Sequence, residues 1–198
     1  MLKRLWRKKR KVSFWTAANQ RYAYNYLTAA GLSNFGAAGL VSRWVNVESS
    51  VDGPYAQGGY KGRAFGIAQW LGARLAPIKG NTSFEAQLAY VIQELNGPEA
   101  RAGSILRSAN IIQAGATGAS MYERASGYNS ATGQDNYTAR TAAGIPKVFS
   151  LVTGAAQAAP ETATEDSVSG SDVVSEPSSI EPLLIVAAIG IGLFLLTR

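Results

Sequence analysis

The fold is decided by GAAGLVSRWVNVESS at residues 36–50 and AFGIAQWLGARL at residues 64–75. The first stretch has apolar residues at helical spacing, and Asn34 just before it is a suitable N-cap, so the pattern predicts a helix ending at Ser49. Between the two stretches, glycines and aromatic residues alternate, which is typical of a small β-hairpin and loops. From within the second stretch onwards, the sequence predicts a return to helix over residues 67–79.

The sequence on both sides of this centre is mostly helical in pattern. Residues 19–30 predict a first helix that stops at Gly31, and Thr82 with Glu85 predicts a capping box opening a helix through Leu95. Three more helices are predicted, over residues 98–109, 111–126 and 134–144. The order of elements predicts an α+β fold in which helix dominates.

The chain of 198 residues contains no histidine and no cysteine. A Ser-His-Asp triad, a Cys-His pair, a histidine-bearing zinc site and a disulfide framework are therefore excluded. We expect neither a metal nor a cofactor, and proton transfer in an enzyme of this composition would use Asp, Glu, Lys or Tyr.

Charge divides the chain into four parts. Residues 1–12 form a basic arm with seven of the 19 lysines and arginines, and residues 13–150 hold the folded domain. Residues 151–181 are acidic and contain no lysine or arginine, which predicts an extended linker. The basic arm is typical of contact with anionic lipid or DNA, but also of a solvated tail or a topology signal.

Residues 182–198, PLLIVAAIGIGLFLLTR, predict a C-terminal transmembrane helix that anchors the chain in a lipid membrane. Its uninterrupted apolar run spans about 21 Å as a helix, against a bilayer core of about 30 Å. A snorkelling Arg198 and local thinning narrow that difference. The alternative is a buried core helix, but a segment behind an extended linker has no core to join.

Glu48 is the strongest candidate for catalysis. It lies at the predicted C-terminal end of a helix, where unpaired carbonyls disfavour a negative charge, and neighbouring apolar side chains add desolvation. Both effects favour a protonated carboxyl, which is what protonation of a glycosidic oxygen requires. The alternative is an ordinary surface glutamate.

These stretches resemble the phage tail lysozyme family, within the wider lysozyme and lytic-transglycosylase superfamily. The resemblance covers roughly residues 17–145. The matching positions are Glu48, Ser49, Gly66, Ile67, Ala68, Gln69, Trp70, Arg74, Tyr122, Glu123, Arg124 and Arg140. Ala125 replaces the proline that usually follows the Glu-Arg pair in this family.

The resemblance implies a lysozyme-like domain in which Glu48 is the general acid on the β-1,4 bond between N-acetylmuramic acid and N-acetylglucosamine. The candidate substrate-binding residues are Ser49, Tyr60, Gln69 and Trp70. Gln69 is expected on the cleft floor, with local packing as the alternative. Tyr60 and Trp70 are expected either against sugar faces or in the core.

The identity of a second catalytic carboxylate is left open by the sequence. Asp52 is the nearest candidate for a nucleophile or base, although Asp-Gly-Pro is also ordinary turn chemistry. Glu123 is a lesser candidate, for which an ion pair with Arg124 is the favoured interpretation. Without a second carboxylate, the enzyme either inverts through a distant water or is a transglycosylase that forms a 1,6-anhydro product.

The sequence thus predicts a membrane-anchored, peptidoglycan-degrading phage enzyme. It would reside in the virion, on the internal membrane of the particle, or on the host cell membrane, and would act as the phage penetrates the cell wall. The alternatives are a non-catalytic peptidoglycan-binding or structural virion protein, and an endopeptidase on a lysozyme-like scaffold. The oligomeric state is left open.

Overall fold

The computed structural model describes residues 12–154. The expectations for the basic arm, for all but the first residues of the linker and for the membrane anchor at 182–198 lie outside the described residues. No helix within residues 12–154 is both long enough and apolar enough to cross a membrane.

Six α-helices and one two-stranded antiparallel sheet make up the regular structure of the described part. The helices are α1 (Ala17–Ala29), α2 (Asn34–Arg43), α3 (Phe84–Asn96), α4 (Ala100–Ser108), α5 (Ile112–Glu123) and α6 (Thr138–Thr153). The strands are β1 (Gln57–Gly58) and β2 (Ala64–Phe65), with Gln57 paired to Phe65. The prediction of a helix-dominant α+β fold with one small hairpin is confirmed.

The residues that cap two helices differ from those predicted. Ser33, not Asn34, caps α2 by accepting the N–H of Gly36, and Ser83, not Thr82, caps α3. Both serines have extended backbone angles directly before the first helical residue, as a cap requires. Asn34 is already inside its helix.

The predicted return to helix over residues 67–79 is wrong. Phe65 and Trp70 exchange both backbone hydrogen bonds, which close a tight turn between them. Gln69 in that turn and Gly72 just after it have φ angles of +48° and +59°, which an α-helix does not allow. Only two short 3₁₀ turns follow, Gly72–Arg74 and Ala76–Ile78.

Helices α2 and α5 pack with their backbones in close contact. A Cβ at Gly39 would lie 2.4 Å from the carbonyl oxygen of Gly115, and a Cβ at Gly115 would lie 2.2 Å from that of Phe35. Only glycine fits at both positions. The two helices run in the same direction, because Phe35 meets Gly115 while Trp44 meets Glu123 nine and eight residues further on. Their C-terminal ends therefore meet at one place.

Candidate active site

The helix that begins as α2 ends in a π-helical turn, Trp44–Glu48. The sequence predicted regular helix here, but the N–H of Ser49 bonds the carbonyl of Trp44, five residues back, at 3.0 Å. In an α-helix, residues five apart point about 140° away from each other. The wider π turn brings Glu48 to the same side as Arg43, and π turns of this kind are frequent at functional sites.

Arg43 lies at the centre of a buried group of charges, which we call the Arg43 cluster: Arg43, Glu48, Glu123 and Asp135. Its side chain is fully buried, and Nε donates to Glu48 Oε1 at 2.8 Å. The guanidinium also donates two hydrogen bonds to Asp135, at 3.0 and 2.8 Å. Burial opposes the ionisation of Asp135, but the hydrogen bonds and charge of Arg43 outweigh it and lower the pKa of this carboxyl.

Glu123 is the last residue of α5 and accepts a hydrogen bond from Trp44 Nε1 at 2.8 Å. The expected ion pair between Glu123 and Arg124 is wrong. Arg124 takes a left-handed conformation with φ of +49°, which turns its side chain away to pair with Glu99. The carboxyl of Glu123 is thus directed towards the end of α2, where Glu48 lies.

Glu48 and Glu123 line the same cleft, a cavity of about 920 Å³. Its walls also carry Gln69, Arg74, Tyr137 and Arg140. The cleft is open to solvent, and 14% of the Glu48 side chain is accessible. Its size and mixture of charged, aromatic and amide groups suit a segment of sugar chain.

The electrostatics of the Arg43 cluster favour protonated carboxyls. Burial raises the pKa of Glu48, opposed by the Arg43 guanidinium. Burial also raises the pKa of Glu123, well above its usual range, and the charge of Glu48 adds to the shift. The number of charges adds to the effect of burial, because three carboxyl groups surround Arg43 and Asp135 already neutralises it. The pair Glu48 and Glu123 therefore retains a proton at a higher pH than ordinary glutamates.

A second group of charged and aromatic residues adjoins the cleft through Arg74, and we call it the Arg74 cluster: Arg74, Glu94, Glu99, Trp70 and Tyr122. Glu94 is buried and accepts from Arg74 Nε at 2.7 Å and Nη2 at 3.0 Å. It also accepts from Tyr122 Oη at 2.6 Å and from Trp70 Nε1 at 2.8 Å. Burial alone would raise the pKa of Glu94, but the bonds from Arg74 and Tyr122 lower it.

Of the residues predicted to act on substrate, the structure brings Glu48 and Gln69 together in the cleft. The Gln69 amide donates to the backbone carbonyls of Gly66 and Ala56, at 2.9 and 3.3 Å. Asp52 is elsewhere: it precedes the short turn Gly53–Tyr55, outside the set of described residues that line the cleft.

Ser49 and Trp70 lie in the interior. The Ser49 hydroxyl accepts from Trp15 Nε1 at 3.3 Å and is 3% exposed as a residue, while Trp70 is 1% exposed. For Trp70 the structure thus favours the core position, one of the two that the sequence left open. The backbone of Tyr60 belongs to the turn Tyr60–Gly62, and its side chain lies outside the described part of the structure.

Sequence reasoning missed Arg43, Asp135 and Glu94. Arg43 lies among apolar residues in the stretch 36–50, and a lone arginine there indicates that an anion lies nearby. Asp135 is 92 residues away from Arg43, in a polar segment that resembles any loop. Only the folded chain brings these two residues together.

The sequence was also compared with known proteins. The sequence profile of the family described as phage tail lysozyme matches residues 18–145, which is more than half of the chain. The curated proteins give no match, and neither do the solved structures.

Proposed function

The chain belongs to the phage tail lysozyme family, and from this membership we propose that it cleaves the glycan strands of peptidoglycan with Glu48 as general acid. The bond proposed is the β-1,4 bond between N-acetylmuramic acid and N-acetylglucosamine. The alternatives of a non-catalytic wall-binding protein and of an endopeptidase are outcomes of the test below.

The observation that supports this proposal is the position of two partly exposed carboxyls, Glu48 and Glu123, on one cleft beside a single, already neutralised arginine. Glycosidases need one carboxyl that keeps its proton near neutral pH and a second group that handles negative charge or water. The Arg43 cluster supplies both from one pair. The ion pair with Arg43 favours charge on Glu48, and the bond from Trp44 favours charge on Glu123, while burial and mutual repulsion oppose full ionisation.

In the proposed reaction, Glu48 donates its proton to the bridging oxygen as the bond from C1 of the muramyl residue to that oxygen breaks. The departing sugar leaves with a free 4-hydroxyl. In hydrolysis, the proton retained by the pair is on Glu48, and the carboxylate of Glu123 takes a proton from the attacking water, whose oxygen bonds to C1. Asp52, outside the cleft, remains the alternative for this second role.

In transglycosylation the muramyl 6-hydroxyl replaces water. Its oxygen bonds to C1, its proton passes to the carboxylate of Glu48, and the product has a 1,6-anhydro end. This route needs one carboxyl that acts as acid and then base, so Glu123 would only tune the proton affinity of Glu48.

Digestion of purified peptidoglycan by the full-length chain, with mass spectrometry of the products, tests the function. Reducing muramic ends indicate hydrolysis, and anhydro ends indicate transglycosylation. We expect Glu48→Gln to abolish both, while Glu85→Gln, at an exposed position on α3, serves as the matched control. Free amines without new sugar ends would establish the endopeptidase, and no cleavage by the native chain would favour a binding protein.

The roles of the two carboxyls can be separated with an aryl glycoside of a peptidoglycan fragment. An aryl leaving group needs little protonation, so the variant that has lost the general acid regains activity on it. We expect this rescue for Glu48→Gln and not for Glu123→Gln. Rescue of Glu123→Gln alone would exchange the two assignments.

We also propose that residues 182–198 anchor the enzyme to a membrane of the phage particle or the host, so that it acts during penetration of the cell wall. The apolar sequence of that segment and the acidic stretch before it support this. Fractionation of purified particles tests it: the protein should remain with the lipid fraction after high-salt washing. Recovery only from the lysate supernatant would exclude a virion role.

A further inference from the structure

A second cavity of about 850 Å³ adjoins the catalytic cleft. Ala64 and Leu71 line both cavities, so the two are separated by no more than these side chains. The described residues that line the second cavity do not include Glu48 or Glu123. A substrate chain held in the cleft can therefore extend into it without leaving the surface of the protein.

The two cavities differ in charge. The catalytic cleft carries two carboxyls beside three arginines, whereas the described residues that line the second cavity include two cations, Arg63 and Lys79, and no carboxyl. The rest of its lining is mostly small or apolar, including Phe65 and Leu75. The cavity thus offers positive charge at its rim and apolar surface within.

We propose that this second cavity binds the carboxylate-bearing stem peptide of peptidoglycan. The inference rests on the proposed function, because the peptide is attached to the muramyl residue whose bond is cut. Stem peptides combine free carboxylates with small aliphatic side chains, which matches the two cations and the apolar wall in type. A strand stripped of its peptides keeps only the lactyl carboxylate of each muramyl residue and has no peptide side chains to contact the apolar wall.

The cavity makes the enzyme selective for glycan that carries peptides. Arg63 and Lys79 are both exposed, and exposed ion pairs contribute modestly, on the order of a fewfold in affinity each. The expected gain for peptide-bearing over bare glycan is therefore about tenfold, and it should shrink as salt screens the charges.

The test compares two substrates: intact glycan strands, and the same strands stripped of peptides by an amidase. We measure kcat/KM for the full-length chain and for the double variant Arg63→Gln, Lys79→Gln. The matched control is Arg101→Gln, Lys147→Gln, which removes the same two charges from exposed positions on α4 and α6. Thermal unfolding of each variant confirms that it is folded.

We expect the kcat/KM of the double variant to fall about tenfold on intact strands and only slightly on stripped strands. The control variant should match the native chain on both substrates. Equal losses on the two substrates would overturn the proposal, as would a native chain that does not discriminate between them. If the native chain cleaves neither substrate, the proposed function itself fails.

A binding measurement keeps the inference testable in that case. Titration of the full-length chain with a free stem tetrapeptide should show saturable binding that the double variant lacks. The same peptide with its carboxyls amidated is the control and should bind weakly or not at all. Equal binding of both peptides, or of the peptide to both proteins, would contradict a carboxylate site.

Discussion

The Arg43 and Arg74 clusters both border one cleft, and each holds an arginine among carboxyls, yet the pKa of Glu94 and the pKa values of Glu48 and Glu123 shift in opposite directions. In the Arg74 cluster, Glu94 receives four hydrogen bonds and its pKa is lowered. In the Arg43 cluster, the pKa values of Glu48 and Glu123 are raised. Burial raises the proton affinity of all three carboxyls, and the number of hydrogen-bond donors that oppose it separates them.

This difference shows how one fold assigns structural and chemical roles to similar groups. A carboxylate with a full set of hydrogen bonds, such as Glu94, connects α3 to Tyr122 on α5 and stays ionised to lower pH. A carboxyl that competes with others for one guanidinium is left with its proton, which it can donate. Substitutions in the two clusters test this difference, and they are given in order of decreasing expected effect.

Replacement of Glu48 by Gln should have the largest effect, because it removes the proposed proton donor while keeping the shape of the side chain. We expect a loss of about 10²- to 10⁴-fold in kcat/KM on peptidoglycan. Stability should be unchanged or higher, because one of the competing negative charges disappears. A parallel loss of stability, measured by urea unfolding, would mean that Glu48 has a structural role instead.

Replacement of Glu94 by Ala, by contrast, should lower the free energy of unfolding. It leaves Arg74, Tyr122 and Trp70 without their acceptor, and breaking a buried pair in this way costs about 3–5 kcal/mol of unfolding free energy. Urea denaturation measures this, with Glu85→Ala on the exposed face of the same helix as control. A loss of under 1 kcal/mol would show that the Arg74 cluster does not hold the fold.

Replacement of Glu123 by Gln should lower activity by about 10²-fold and move the alkaline limb of the pH–rate profile to lower pH. The shift has this sign because the neutral amide cannot share a proton with Glu48 or repel its charge. The paired measurement is the profile of the Glu48→Asp variant, which keeps both acids. An unmoved alkaline limb in Glu123→Gln would place Glu123 outside the titrating pair.

Glu94 and the pair Glu48 and Glu123 should also respond to pH with opposite signs. Because the folded-state pKa of Glu94 is lowered, its contribution to stability is present above the unfolded value near 4.3 and is lost as pH falls through the folded pKa. The pKa values of Glu48 and Glu123 are raised, so their contribution is present below about 4.3 and is lost as pH rises through the folded values.

Urea unfolding of Glu94→Gln and Glu123→Gln across pH 3 to 8 (a range of about five units around these values) measures that opposition. The deficit of the Glu94 variant should be greatest at neutral pH and shrink in acid. The Glu123 variant should gain on the native chain as pH rises. Parallel curves would remove the electrostatic distinction between the clusters.

Asp52→Asn should have the smallest effect, within about twofold in activity, as for an ordinary substitution outside the cleft. The measurement is kcat/KM on peptidoglycan beside Glu123→Gln. A loss as large as that of Glu123→Gln would move the second carboxyl role back to Asp52.

Much of the fold could be predicted because it depends on local pattern. The periodicity of α2, the glycine-rich hairpin and the order of helices are all visible in short windows of sequence. The errors were also local in origin. The tight turn closed by Phe65 and Trp70 overrides a sequence that resembles helix, and each serine cap lies one residue away from the predicted cap.

The site was only partly predictable. Glu48 and Gln69 lie in the cleft, but Ser49 and Trp70 are buried, and Glu123 was assigned to an ion pair that Arg124 makes with Glu99 instead. The left-handed turn at Arg124 decides where Glu123 points, and no short motif encodes it.

The sequence by itself determined the helix-dominant fold, the family and the position of Glu48 at a helix end, because these follow from spacing along the chain. The tertiary structure alone decided which carboxyls keep a proton. That property depends on how many anions face Arg43, and its partners come from positions 48, 123 and 135, joined by glycine-mediated contact between α2 and α5. Proton affinity is set by neighbours in space, and sequence distance carries no information about them.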